Sequence, residues 1–281
     1  MSAVRRCLCL LFASFSALPL AGCSGHGDGG VGDKPSTRQT TRLGDGDRVS
    51  ELVLEATWYD ADNTDSTGCK LPADESVYVT GVTIVAIDRF DETGDGSKGN
   101  YYVQDTADDP PAFSGVTVYS PSFSPPDLRL AEGDIADLTG QLTEFPGPPS
   151  ASPFGDCKTL PEMSGTMGFR LENGTRTPKT VPLEDLKSYP KARQWLGMLV
   201  RVEDVTISNV KSSPSGRYTA SIDVGAGVEA SDVPNLSNEL FDLENEGPPI
   251  AAGTHLAAVT GVVTYFYGFK IAPRSKDDLE L

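Results

Sequence analysis

The strongest constraint on this 281-residue chain is that it repeats itself. The stretch LTGQLTEF at 138–145 returns as VTGVVTYF at 259–266. The likeness runs outward, from LAEGDIADLTGQLTEF (130–145) to IAAGTHLAAVTGVVTYF (250–266). Upstream, VYVTGVTIVAID (77–88) is echoed by LVRVEDVTISNV (199–210), and GNYYVQD (99–105) by GRYTASID (216–223). Three blocks in one order and at similar offsets mark an internal duplication. Apolar residues alternate around Leu138 and Leu142, and around Val259 and Val263, with the period of a strand. The chain should therefore fold as two copies of one small β unit.

Each copy reads as strand, loop, strand, irregular stretch and a glycine-initiated strand, with a further strand after it. In the second copy that last strand is GFKIAPR (268–274). In the first it is placed at TMGFRLEN (166–173). Frequent glycine and proline suit short strands joined by turns. The expected fold class is all-β: two tandem OB-like Greek-key barrels joined by a short helical connector. An immunoglobulin-like sandwich would need more strands than the repeat supplies. The connector is expected where Pro182 precedes Glu184 and Asp185, with a break or restart near Pro190. The divisions are 1–22 leader, 23–48 tether, 49–180 first module, and 181–281 connector and second module.

Arg5 and Arg6 precede the apolar run CLCLLFASFSALPLA (7–21), which is too short and interrupted for a comfortable membrane span. It ends in Leu20-Ala21-Gly22-Cys23. This resembles the lipobox of bacterial lipoproteins, which implies cleavage before Cys23 and lipidation of that cysteine. Ser24 fits the enteric rule for proteins sent on to the outer membrane. The expected location is thus the bacterial cell envelope, with the lipid as membrane partner. Residues 24–48 hold almost no large apolar side chains and read as a tether. Once the leader and Cys23 are set aside, Cys69 and Cys157 remain, an even pair in an oxidising compartment. A disulfide between them is expected, with two separate buried thiols as the alternative.

The strand motifs also resemble a family. The V-x-G-V-V-T pattern stands at Val79–Thr83, a hydrophobic-Q-D strand at Tyr101–Asp105, a G-D strand ending in an aromatic at Gly133–Phe145, and W-x-G-M-L-V-R-V at Trp195–Val202. A terminal P-R-S-x-x-D-L follows at Pro273–Leu279. These are similar to OB-fold modules of secreted and lipid-anchored bacterial proteins, found beside nuclease and exonuclease/endonuclease/phosphatase domains. The resemblance spans most of 49–281 and implies OB folds; no catalytic domain of that kind is contained in these residues.

Chemistry-bearing patterns are sparse. The two histidines are His26, in the tether, and His255, beside a strand-initiating glycine. No Ser/His/Asp or Cys/His set, P-loop or nucleophile elbow can be assembled, so no enzyme activity and no catalytic residue is expected. The loop DETGDGSKGN (91–100) places Asp91, Thr93 and Asp95 at alternate positions, which would suit calcium. The bidentate glutamate of an EF-hand is missing, and a solvated acidic turn is the ordinary reading. No other cofactor is expected. Tyr101, Tyr102 and Tyr119 are candidate ligand-binding aromatics. Yet residues 50–150 hold 19 Asp and Glu against 4 Lys and Arg, and the whole chain carries −17, which argues against nucleic acid. The expected function is a lipid-anchored envelope binding protein without catalytic activity, its partner a protein or a polysaccharide. Two alternatives stand beside it: an accessory subunit of an extracellular nuclease or phosphatase, and a calcium-stabilised surface protein.

Overall fold

The structure is a computed structural model. It describes residues 46–55, 64–65, 68–69, 75–92, 99–119, 131–147, 154–155, 158–174 and 176–281. Five strands make the first barrel: β1 (Glu75–Ile87), β2 (Tyr101–Asp105), β3 (Gly115–Val118), β4 (Asp134–Phe145) and β5 (Leu160–Asn173). They close in the order β1-β2-β3-β5-β4. All pairings are antiparallel except β3 with β5, which run parallel through Thr117 opposite Glu162 and Val118 opposite Met163.

The second half repeats this plan. After a two-residue strand β6 (Lys179–Thr180) come β7 (Leu199–Ser212), β8 (Tyr218–Ile222), β9 (Asn235–Ser237), β10 (His255–Tyr265), β11 (Phe269–Ala272) and a terminal β12 (Leu279–Glu280). The pairs β7–β8, β8–β9, β9–β11, β11–β10 and β10–β7 return the ring to its start. Again the third and fifth strands are the parallel pair. Both halves are OB-type Greek-key barrels, and the chain is all-β apart from short helical turns.

The duplication extends to single hydrogen bonds. The amide of Gly133 donates to Ile84 O at 2.7 Å, and that of Gly253 to Ile207 O at 2.7 Å. These are the glycines of the repeated A-x-G phrase. The repeated Thr-Gly has its own cause. A β-carbon on Gly140 would lie 1.7 Å from Ser164 O, and one on Gly261 would lie 2.7 Å from Ala272 O. In each barrel the fifth strand crosses the fourth so closely that only a residue without a side chain fits. The third strands, β3 and β9, occupy what the repeat leaves as irregular stretches. At four and three residues they are too short to display a period.

Helix α1 (Val49–Glu55) closes one end of the first barrel. Val49 and Val53 share its core with Val79, Val116, Leu138 and Met163. The helix is capped from a distance: the Asp105 carboxylate accepts from the amides of Val49 (2.8 Å) and Ser50 (3.0 Å). This answers the unpaired donors of a helix N-terminus. The connector runs as expected through a 3-10 turn at Leu183–Leu186, then α2 (Tyr189–Ala192) with Pro190 in its first turn, and a last turn at Arg193–Trp195.

The barrels pack directly on one another. Val85, Ala86 and Tyr102 of the first form one apolar cluster with Leu199, Leu240, Val262 and Ala272 of the second. A β-carbon on Gly115 would fall 2.5 Å from the backbone of Gly197 and Met198, so β3 touches the turn that opens the second barrel. The Leu199 amide donates to the buried Gln104 Oε1 at 3.0 Å. Nearby, Arg193 sits in a buried fork on Glu144 (2.7 and 3.2 Å). Tyr189 accepts from the Thr159 amide (2.8 Å), and its hydroxyl donates to Thr159 O (2.5 Å). A short hydrogen bond joins the Thr159 hydroxyl to Glu144. Burial works against the Arg193 charge, but Glu144 outweighs it and holds the guanidinium above its ordinary pKa.

Candidate functional site

Where the loop faces of the two barrels meet there is an open cleft of about 590 Å³. From the first barrel it takes the end of β1 and the following loop (Asp88, Phe90, Glu92, Asn100), Tyr102 of β2, Thr117 and Tyr119 at β3, and Phe145, Leu160 and Glu162. From the second it takes Arg217, Glu239, Thr264, Tyr265, Phe266 and Lys270. These are the strand 2–3 face and the 1–2 and 4–5 loops, through which OB folds bind ligands. The duplicated phrase supplies both aromatic ends: Phe145 closes LTGQLTEF and Phe266 closes VTGVVTYF. Glu162 and Lys270 hold matching register positions on the fifth strands, opposite Thr143 and Thr264. One position of the repeat thus presents an acid from one copy and a base from the other.

Phe154 organises the aromatic wall. It meets Phe145, Tyr265 and Phe266 edge to face, with centroids 5.7, 5.1 and 5.8 Å away. Arg217 and Lys270 lie 5.0 and 5.5 Å from the centroid of the Phe266 ring. Both cations are also paired, Arg217 with Glu92 at 3.4 Å and Lys270 with Glu239 at 3.6 Å. Glu239 in turn accepts from the Tyr102 hydroxyl at 2.8 Å and from Thr264 at 2.9 Å. Burial and then the Glu239 charge push the Tyr102 phenol well above its usual range, so it remains a donor.

Two carboxyls stand apart from these pairs. Asp88 is buried, with Oδ1 left without a hydrogen-bond partner, and the hydroxyl of the buried Thr117 is also unpartnered. Burial, reinforced by the charges of Glu239 and Glu92, raises the Asp88 pKa to about 7. Burial, reinforced by Glu144, raises Glu162 to about 7 as well. Near neutral pH each is part protonated and can donate as well as accept a hydrogen bond.

These shifts carry a stability sign. Both folded pKa values lie above the unfolded carboxylate range near 4. The folded state then holds protons that the unfolded chain releases, and stability falls as pH rises from about 4 to about 7. Asp88→Asn and Glu162→Gln should therefore raise the urea midpoint at pH 8 and leave it nearly unchanged at pH 4. Equal gains at both pH values would contradict the assignment. A cleft kept at a stability cost is a usual mark of a functional site.

The sequence candidates fall differently. Tyr102 lines the cleft, but its ring is buried in the barrel junction and offers no stacking face. Tyr119 lines the cleft and is 54% exposed. Tyr101 packs against the first barrel's core instead. Asp91 is half-buried and is not among the cleft residues. Thr93 and Asp95 lie outside the described residues, as do Cys23, Cys157 and the side chain of Cys69. Among the described residues no group of three His, Cys, Asp or Glu side chains is placed to hold a metal ion, and no helix is long and apolar enough to cross a membrane. His255 is exposed at the start of β10, 3.7 Å from Asp204. Asp88, Glu162 and Glu239 were not singled out by sequence reasoning. The usable signal was Asp88 itself, a carboxylate ending the apolar run VTIVAI where a barrel's first loop begins.

No protein-family model matches the chain, and no curated protein does. Among solved structures, a crystal structure of a deletion mutant of the single-stranded DNA binding protein from Thermus aquaticus aligns at 14% identity. The alignment covers 70% of this chain and 90% of that one, with a TM-score of 0.20.

Proposed function

We propose that this chain is a non-catalytic binding protein of the bacterial cell envelope, anchored by lipid on Cys23, that takes its ligand in the cleft between the barrels. One observation carries the reading: the ligand faces of two duplicated barrels converge on a single cavity with unpartnered polar atoms inside it. Its volume is in the range of small-molecule and short-chain sites. The lipobox Leu20–Cys23 supports the anchor, and Ser24 supports the outer membrane. The cleft carries acid–base groups but no histidine, cysteine or serine among its described lining residues, which favours binding over nucleophilic catalysis. The accessory-subunit reading draws on the likeness to OB modules of secreted nucleases. It is the weaker one, because a nucleic-acid groove needs unpaired cations, and Arg217 and Lys270 are both paired with carboxylates.

The test is affinity capture from envelope extracts by the full chain and by a Tyr119→Ala/Phe266→Ala variant. Neither side chain is fully buried, so the variant should fold. Wild type should retain an envelope component that the variant does not. Identical retention by both would remove the cleft from the function.

A further inference from the structure

The geometry points to a neutral polysaccharide segment as the cleft's ligand, its hydroxyls meeting Thr117 and Asp88 and its ring faces resting on Phe266 and Tyr119. This rests on the cleft reading above and names its ligand class.

Three observations narrow the class. The first is charge. Glu92 and Glu239 are already matched by Arg217 and Lys270, and Glu239 also accepts two hydroxyls. A cationic peptide would find those carboxylates occupied and two cations in its path. An anion would meet two cations already neutralised, with Asp88 and Glu162 nearby. For a cation only Asp88 and Glu162 remain unmatched, and both are part protonated near neutral pH, so neither sign of ligand charge meets a fully ionised, unpaired partner to offset its desolvation.

The second observation is hydrogen bonding. Thr117 Oγ1 and Asp88 Oδ1 are buried, line the cleft and lack partners. An unmet buried polar atom is costly, so the site is built for a ligand that brings hydroxyls or water to it. A hydroxyl donates and accepts at once, as does a part-protonated carboxyl or a threonine. Sugars are the ligand class that presents many such groups on one rigid frame without charge.

The third is shape. The cleft is open and its wall is aromatic, with Phe145, Phe266 and the half-exposed Tyr119 along it. Flat apolar faces flanked by polar groups match a sugar ring, which has C–H faces and a hydroxyl rim. An open cleft admits a segment of a longer chain rather than only a free end.

The experiment uses the full chain purified in a detergent without a sugar headgroup. It is applied to an array of neutral, anionic and amino glycans, and titrated calorimetrically with tetralysine. The variants are Thr117→Val, which removes one hydroxyl at constant shape, and Tyr119→Ala/Phe266→Ala. At least one neutral glycan should bind, and its affinity should fall at least tenfold in each variant with melting temperature preserved. Binding should change little between low salt and about 0.5 M salt, since no ion pair is formed. Retention of only anionic or amino glycans would overturn the inference, and so would an array with no neutral glycan retained. Tetralysine bound by wild type and lost in the variants would also overturn it while leaving the cleft as the binding site. If no probe binds and the aromatic variant captures the same envelope components as wild type, the cleft reading itself falls.

Discussion

Arg193→Ala should destabilise the protein by about 3–5 kcal/mol, the usual result of removing one partner from a buried ion pair. Its side chain is 6% exposed and that of Glu144 is 1% exposed. Without the guanidinium, Glu144 keeps among the described residues only the Thr159 hydroxyl, and a carboxylate in that position has lost the charge that answered it. The damage should not stay local. Glu144 belongs to β4 of the first barrel, while Arg193 ends the connector leading into the second. Tyr189 and Thr159 link the same two pieces. Urea unfolding followed by tryptophan fluorescence reads this directly, because Trp195 lies two residues from Arg193 and is buried in the second core. The control is Glu144→Leu with Arg193→Met, which exchanges the pair for apolar groups of similar size. That double variant should lose far less than either single truncation, because no uncompensated charge remains. A single-variant loss below about 1 kcal/mol would mean that the pair is hydrated and does not hold the barrels together.

Much of the fold was legible because duplication is a long-range signal. Three strands of each copy stand where the repeated blocks place them, including the long β1 and β7 and the corresponding β4 and β10. The third strands were not legible. Gly115–Val118 and Asn235–Ser237 owe their conformation to the parallel partner β5 or β11, which lies far along the chain. β5 also begins earlier than TMGFRLEN suggests, at Leu160, because its first half pairs with β4 through Glu144 and Phe145. The site was less legible than the fold. Tyr102 and Tyr119 reach it through the alternation of one strand and the end of the next. Asp88 at the end of β1, Glu162 on β5 and Glu239 after β9 meet only once the barrels dock, and beyond the apolar run that Asp88 ends no local pattern distinguishes them from the many other acidic residues of the chain. The acidic total says nothing of how the charges are placed, and it hid the pairing of Glu92 and Glu239 with Arg217 and Lys270 inside the cleft.

Replacing Cys23 should release the protein from the membrane altogether. On the proposed lipidation the anchor is acyl chains on that residue, each buried methylene contributing about 0.8 kcal/mol. One chain gives reversible attachment, while two or more give stable anchoring. Cys23→Ala should block lipid attachment and the cleavage that depends on it. The sharper form begins at Ser24 behind an ordinary secretory signal. It should appear wholly in the soluble fraction, with the same melting temperature as the lipidated protein. The anchor also bears on the cleft. Ser24 to Asp45 is 22 residues, whose covalent geometry limits the span to at most about 75 Å. Beyond them, α1 is tied to the first barrel by the Asp105 cap, so a chain anchored at Cys23 would join the body at a fixed point. On the proposed anchoring, a cleft held within that reach would sample glycans near the bilayer rather than in the bulk. Lengthening the stretch before Gly46 should leave affinity for a soluble glycan unchanged and alter only capture of surface-bound chains. Sedimentation of the Ser24 form with protein-free vesicles would mean that the folded body binds lipid by itself, and the single-anchor account would fail.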